Sequence, residues 1–163
     1  MFIRTKNRIN SKNEKIKYGY LVKNVWKGKP KQKVVKYLGK IVEEKPDIQL
    51  NSKVSLAKTW KNTVRQLIKQ ELINSNFDEK EKNVFCKNEV NVNLKSNQVF
   101  VNNKKGVIEI NEGFLCNYTI NKCMNMNTED LKKFTNILLL TGILPNQELL
   151  VKIYQIYKKR KLS

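Results

Sequence analysis

Tyr18-Gly19-Tyr20-Leu21-Val22-Lys23-Asn24-Val25-Trp26, then Lys27-Gly28-Lys29-Pro30-Lys31-Gln32, then Lys33-Val34-Val35-Lys36-Tyr37-Leu38-Gly39-Lys40 is the stretch whose reading decides the fold. Two runs rich in β-branched and aromatic residues flank a segment carrying Gly28 and Pro30, both turn formers. This predicts a basic β-hairpin with its loop at Lys27–Gln32. Upstream, Phe2 to Ile9 alternates and predicts a further strand, with Arg4, Lys6 and Arg8 on one face because side chains two apart point the same way. Asn10 to Lys15 reads as a polar turn. With strand two from about Lys17 to Trp26 and strand three from Lys33 to Ile41, the N-terminal region should be a three-stranded antiparallel meander.

A meander this short cannot bury both faces by itself. Strand two puts Tyr18, Tyr20, Val22 and Trp26 on one face and Leu21, Val25, Lys17 and Lys23 on the other. Strand three leaves its inner face open, since Val34/Leu38 and Val35/Tyr37/Ile41 are both suitable. Tyr18, Tyr20 and Trp26 therefore either pack the core, the preferred reading for strand aromatics, or form a stacking surface between lysines.

Working outward, Glu43 to Asn51 with Pro46 is a connector. Ser52 is the expected N-cap of a long helix reaching about Asn74. Ala57, Trp60, Val64, Leu67 and Ile68 form its apolar stripe, suited to covering the meander, and Lys58, Lys61, Arg65 and Lys69 an adjoining basic one. Asn76 to Asn83 reads as a charged linker. From Val84 the alternation of Val90, Val92 and Leu94, then the runs Gln98–Asn102 and Val107–Ile110, predict a second antiparallel meander. About three helices follow: one from Phe114 to near Asn125, one capped by Thr128, and one starting at Pro145-Asn146. The fold class is α+β. Two modules are expected, residues 1–75 (basic meander plus helix) and residues 76–163.

Charge supplies the functional signal. Thirty-three Lys+Arg against fourteen Asp+Glu leave +19 on 163 residues, and self-repulsion of that size opposes compaction unless an anion neutralises it. Residues 1–45 hold fourteen of the cations and three of the acids, so the excess is concentrated on a local face. Such charge points first to nucleic acid and only then to an anionic membrane. Arg4, Arg8, Arg65 and Arg160 are the only arginines. Lysine is a point charge without the planar fork that reads a guanine edge, which favours contact with phosphates over base readout. A biased codon supply, visible in the many asparagines and isoleucines and the single Ala57, also accounts for lysine over arginine, though not for the shortage of acids.

Several chemistries are poorly provided for. Three cysteines (Cys86, Cys116, Cys123) and no histidine give neither zinc-site spacing nor a Ser-His or Cys-His pair. The glycines are scattered, with no phosphate-binding loop. The acids Asp78, Glu79, Glu81, Glu109, Glu112, Glu129 and Asp130 are better explained as solvated or helix-starting residues than as catalytic pairs. No catalytic residue, metal or cofactor is expected. Sparse cysteines suit a reducing cytoplasm, Met1 leads straight into charged residues rather than a secretory signal, and the run Ile137–Leu140 is too short to span a bilayer.

The residues Tyr20-Leu21-Val22-x-Asn24-x-Trp26, the basic turn, and Gln32 to Gly39 resemble the N-terminal hairpin module of some insertion-sequence transposases. They also resemble the start of small, basic, uncharacterised archaeal proteins. The resemblance covers about 40 residues and implies contact with DNA. It does not extend to strand transfer, for which a ribonuclease-H-like domain with a carboxylate triad would be needed; Asp47, Asp78 and Asp130 are the only aspartates here.

The expected function is non-enzymatic binding of nucleic acid, DNA slightly ahead of RNA or ribosome association. The residues expected to contact phosphate are Arg4, Lys6, Arg8, Lys23, Lys27, Lys29, Lys31, Lys33, Lys36, Lys58, Lys61, Arg65 and Lys69, with Tyr18, Tyr20 and Trp26 as candidate stacking residues. The alternatives are a protein-interaction role through the C-terminal helices and, behind it, a divergent transposase or nuclease remnant. No membrane partner is expected. Asn111 to Tyr118 has the look of a motif without a function to attach to it.

Overall fold

The structure, a computed structural model, describes residues 1–46, Ala57 and residues 59–159. The expected cap at Ser52 and the cations Lys58 and Arg160 lie outside the described residues. The chain is α+β. Strands β1 (Phe2–Ile9), β2 (Lys15–Lys27) and β3 (Lys29–Glu43) precede helix α1 (Trp60–Asn74). Strands β4 (Asp78–Glu81), β5 (Val84–Lys87), β6 (Val90–Asn93), β7 (Gln98–Val101), β8 (Lys104–Ile110) and β9 (Gly113–Leu115) follow, then helices α2 (Asn117–Met124), α3 (Leu131–Leu140) and α4 (Gln147–Lys159).

The two meanders form a single hydrogen-bonded sheet, ordered β1-β2-β3-β8-β7-β6-β5-β4 with β9 on β8. The joint is a parallel pairing of Lys40–Glu43 with Gly106–Glu109. Sheet and main core therefore both run across the division expected after residue 75. The segment expected as a charged linker is strand β4, paired with β5.

Asparagine makes the turns. Asn83, Asn88, Asn97, Asn102, Asn103 and Asn111 all adopt positive φ, a conformation their short polar side chains tolerate better than most. They punctuate the hairpins from β4 to β9.

Two clusters of buried side chains lie on opposite sides of the β3–β8 joint. Val107 and Ile108 are neighbours on β8 and thus face opposite ways. Val107 belongs to a small cluster with Leu21, Leu38, Ile41 and Cys116, while Ile108 belongs to the main core. The main core joins the second meander to all four helices, with Trp60, Phe85, Leu94, Phe134 and Tyr157 fully buried. The buried side chains of α1 (Trp60, Val64, Leu67, Ile68, Leu72) sit in this main core rather than in the small cluster of the first meander. Trp60 Nε1 donates to the Cys123 carbonyl at 3.0 Å, and Thr59 Oγ1 caps the helix by accepting from the Asn62 amide.

The segment from Asn111 is a brace. Asn111 and Glu112 turn with φ of 49° and 61°. Asn111 Nδ2 donates to Glu71 Oε2 at 2.9 Å and to the Gly142 carbonyl at 3.0 Å. A Cβ on Gly113 would stand 2.1 Å from the Leu139 carbonyl oxygen, so only glycine fits there. Glu71 also accepts from the Leu144 amide, and burial pushes its carboxyl above the usual range despite those hydrogen bonds. The motif thus ties β8, α1 and the end of α3 together.

Candidate nucleic-acid interface

β1 pairs with β2 from Ile9↔Lys15 to Phe2↔Val22 and stops there. Beyond it, β2 and β3 continue alone as a two-stranded ribbon, closing at Gly28, whose φ is +70°. The expected Lys27–Gln32 loop is strand almost to the tip, because Gly28 reverses the chain directly between Lys27 and Lys29. At about 3.3 Å per residue the ribbon reaches roughly 20 Å past the end of β1.

The pairing register sets which side each residue faces, since partners across an antiparallel ladder share a face. Lys23 pairs with Lys33, Val25 with Lys31, Lys27 with Lys29, and Leu21 with Lys36. All six hairpin lysines expected to meet phosphate therefore lie on one face. All six are exposed, and none is in an ion pair with a described residue. Like charges set directly opposite each other work against the ribbon, and a polyanion would relieve that repulsion.

The opposite face carries Trp26 across from Pro30, Asn24 across from Gln32, Val22 across from Val34, and Tyr20 across from Tyr37. β1 adds Arg4 beside Tyr20 and Lys6 beside Tyr18. Ring centroids lie 5.4 Å apart for Tyr20–Tyr37 and 6.1 Å for Tyr18–Tyr37. Lys6 Nζ stands 5.6 Å from the Tyr20 ring and the Arg8 guanidinium 5.9 Å from that of Tyr18. Arg4 Nη1 donates to Gln32 Oε1. Core packing, the preferred reading for Tyr18, Tyr20 and Trp26, is not what these residues do: the two tyrosines are half-buried and Trp26 is 76% exposed. The core side is instead taken by Leu21, Leu38 and Ile41.

The expected cations thus divide between two faces and a remote helix. Arg4, Lys6 and Arg8 line the tyrosine face; the hairpin lysines line the other. On α1, Lys61 is exposed, but Arg65 donates from Nε to the Leu94 carbonyl and from Nη1 to Asn62 Oδ1. Lys69 is held by Glu79. Two of the three described helix cations therefore serve the body.

Acids collect where the meander meets the body. Lys17 Nζ bridges Glu109 and Glu43, Lys40 pairs with Glu89, and Lys87 with Glu44. The hydrogen bonds it donates to Glu109 and Glu43 hold the Lys17 ammonium above its usual range, and Lys17 and Lys40 hold Glu43 and Glu89 below theirs. The joint is thereby neutralised, while the ribbon lysines keep their charge unpaired among the described residues.

Where β3 peels away from β8 a small cleft opens, lined by Lys36, Leu38, Lys105, Cys116, Asn117 and Tyr118 among others. It continues the lysine face onto the body. Tyr37, which also lines the cleft, Lys105 and Tyr118 were not among the contact residues expected from the sequence; for Lys105 the adjacent Lys104 was the available signal. No family model, curated protein or solved structure matches the chain. Among the described residues no group of three or more Cys, Asp or Glu is placed to hold a metal ion, and no helix is long and apolar enough to cross a membrane. Burial pushes the Cys123 thiol up to about 12, which suits packing and not nucleophilic chemistry.

Proposed function

We propose that the chain is a non-enzymatic nucleic-acid-binding protein whose β2–β3 ribbon lies along a phosphate backbone. The observation that carries this reading is the alignment of Lys23, Lys27, Lys29, Lys31, Lys33 and Lys36 on one face of a projecting ribbon, free of carboxylate partners among the described residues. Same-face lysines recur about every 6.8 Å along a strand, a spacing that suits a row of phosphates. The resemblance to transposase hairpins favours DNA. A projecting basic hairpin also suits folded RNA, so ribosome association is nearly as well supported.

The test is a titration of labelled oligonucleotides at several salt concentrations. Each neutralised phosphate should contribute roughly 0.7–0.9 to the slope of log affinity against log salt. Affinity insensitive to salt would end the proposal.

A contact with another protein through the C-terminal helices is the second reading. Leu131, Leu139, Leu144 and Val151 are exposed on or beside α3 and α4. Loss of a partner on changing these residues, but not on changing the ribbon lysines, would favour it.

A further inference from the structure

We propose that the tyrosine face of the first meander is a stacking platform for unpaired bases, so that the preferred ligand is a single strand of nucleic acid rather than a duplex. This rests on the nucleic-acid reading above and narrows its ligand.

The helix-packed core reaches Ile108 on β8 and the neighbouring Val42 on β3 and ends there. Beyond that point the same side of the sheet carries Tyr18, Tyr20 and Tyr37, and Tyr37 is 54% exposed. The three rings pack on one another, with Lys6 over Tyr20 and Arg8 over Tyr18, and Tyr37 is the ring most open to solvent. A half-wet aromatic group in a sheet is the arrangement on which unstacked bases are bound, because every base has a π-face and none needs a particular hydrogen-bond pattern.

The cations beside the rings hold the backbone. Arg4, Lys6 and Arg8 run along β1 parallel to the aromatic column, and the neighbouring Glu89 is engaged by Lys40. The rings choose the ligand: in a duplex the base faces are stacked on one another, whereas a strand with its bases splayed lays them on the tyrosines while its phosphates meet the cations. Trp26 prolongs the face to the ribbon tip. The arm then has two working sides, lysines for backbone on one and rings with flanking cations on the other.

The experiment measures anisotropy of labelled oligo-dT, oligo-U and a duplex of equal length with the full chain. In Tyr20→Leu/Tyr37→Leu the apolar bulk stays and the π-faces go. Affinity for both single strands should fall at least about ten-fold, with duplex affinity held within about two-fold. Tyr20→Phe/Tyr37→Phe should bind single strands within about two-fold of the unaltered chain. If the double leucine variant does not fold by circular dichroism, Tyr37→Leu alone is used, with a loss of at least about five-fold expected. The platform is overturned if single-strand affinity is unchanged, if single strands and duplex weaken alike, or if only one of oligo-dT and oligo-U is affected. Replacing Lys27, Lys29, Lys31 and Lys33 by Ser separates the two ideas. If that variant binds every probe as the unaltered chain does, the backbone reading fails; if it weakens all of them while the leucine variant weakens none, the platform alone fails.

Discussion

From β8 outward to β5, the sheet places Phe85, Val92, Val99 and Ile108 under a layer of helices, each of them nearly inaccessible. From β3 to β1 the same sheet leaves Tyr18, Tyr20, Tyr37 and Trp26 uncovered and sets six lysines on its reverse. Hydrophobic residues are available to both parts, so composition does not separate them. What differs is whether a face has been given a partner within the chain. The second meander receives α1 and the C-terminal helices. Among the described residues the first receives only the small cluster around Leu21 and Val107 and the ion pairs at the joint. Stability is concentrated in one region and available surface in the other.

The sharpest way to break this contrast is Trp60→Ala. A fully buried tryptophan leaves a large cavity, and truncations of this kind cost about 3–5 kcal/mol; the Cys123 carbonyl also loses its donor. Urea denaturation should show a loss near the top of that range, and a loss below about 1 kcal/mol would mean the core does not hold the body. Next is Ser at Lys27, Lys29, Lys31 and Lys33. Nucleic-acid affinity should fall on the order of 10²- to 10³-fold at low salt and the salt slope by about 3, while the melting temperature stays level or rises as the opposed pairs Lys23↔Lys33 and Lys27↔Lys29 lose their repulsion. A matching fall in melting temperature would make the lysines structural.

Gly39→Ala acts on the boundary itself. Gly39 has φ +111°, and a Cβ there would stand 1.9 Å from the Lys105 carbonyl oxygen. A loss of about 2–3 kcal/mol is expected, with hydrogen exchange accelerated in β1–β3 and little altered from β4 onward. Uniform acceleration would show that the two regions open together.

The smallest effects concern pH and have opposite signs at the joint and at the buried Glu71. Glu43 and Glu89 are held low by Lys17 and Lys40. Their stabilisation is present above the ordinary value of 4.5 and lost as pH falls through the lower folded values. Glu71 is raised by burial, so its neutral form contributes stability below 4.5 that disappears as pH rises through the raised value. Glu89→Gln should remove part of the acid-side decline and Glu71→Gln part of the decline above 4.5. Urea midpoints against pH that match the unaltered chain would refute either assignment.

The α+β class, the two meanders and the C-terminal helices were legible because alternation and helical periodicity are local properties. Helix α3 is capped by Asp130, whose carboxylate accepts from the Lys132 and Lys133 amides, two residues past the expected cap at Thr128. Strand three hid its inner face for a specific reason. Register shifts at Gly19/Tyr20 and Leu21/Val22 leave Leu38 and Val35 as extra residues, so the period-two rule fails twice within one strand. Leu38 thereby reaches the small core while Tyr37 turns to the open side, and that is why Tyr37 was missed. The placement of α1 was beyond local reading too. An apolar stripe says that a helix needs a partner, not which of two sheets will supply it. The alignment of Lys23, Lys27, Lys29, Lys31 and Lys33, by contrast, follows from spacing once the turn is fixed at Gly28, while Lys36 joins them through the bulge at Val35.

The parallel joint between β3 and β8 brings together segments more than sixty residues apart. Hairpins close in microseconds, whereas contacts between distant segments wait for long loops to close. The β1–β3 hairpins can form as soon as they are synthesised, but the strand that seats them is made much later. Refolding should therefore show body hairpins protected first and the β3–β8 hydrogen bonds last. During synthesis the basic ribbon spends an interval outside the ribosome with no body to hold it, and any polyanion nearby can reach it before its own fold does.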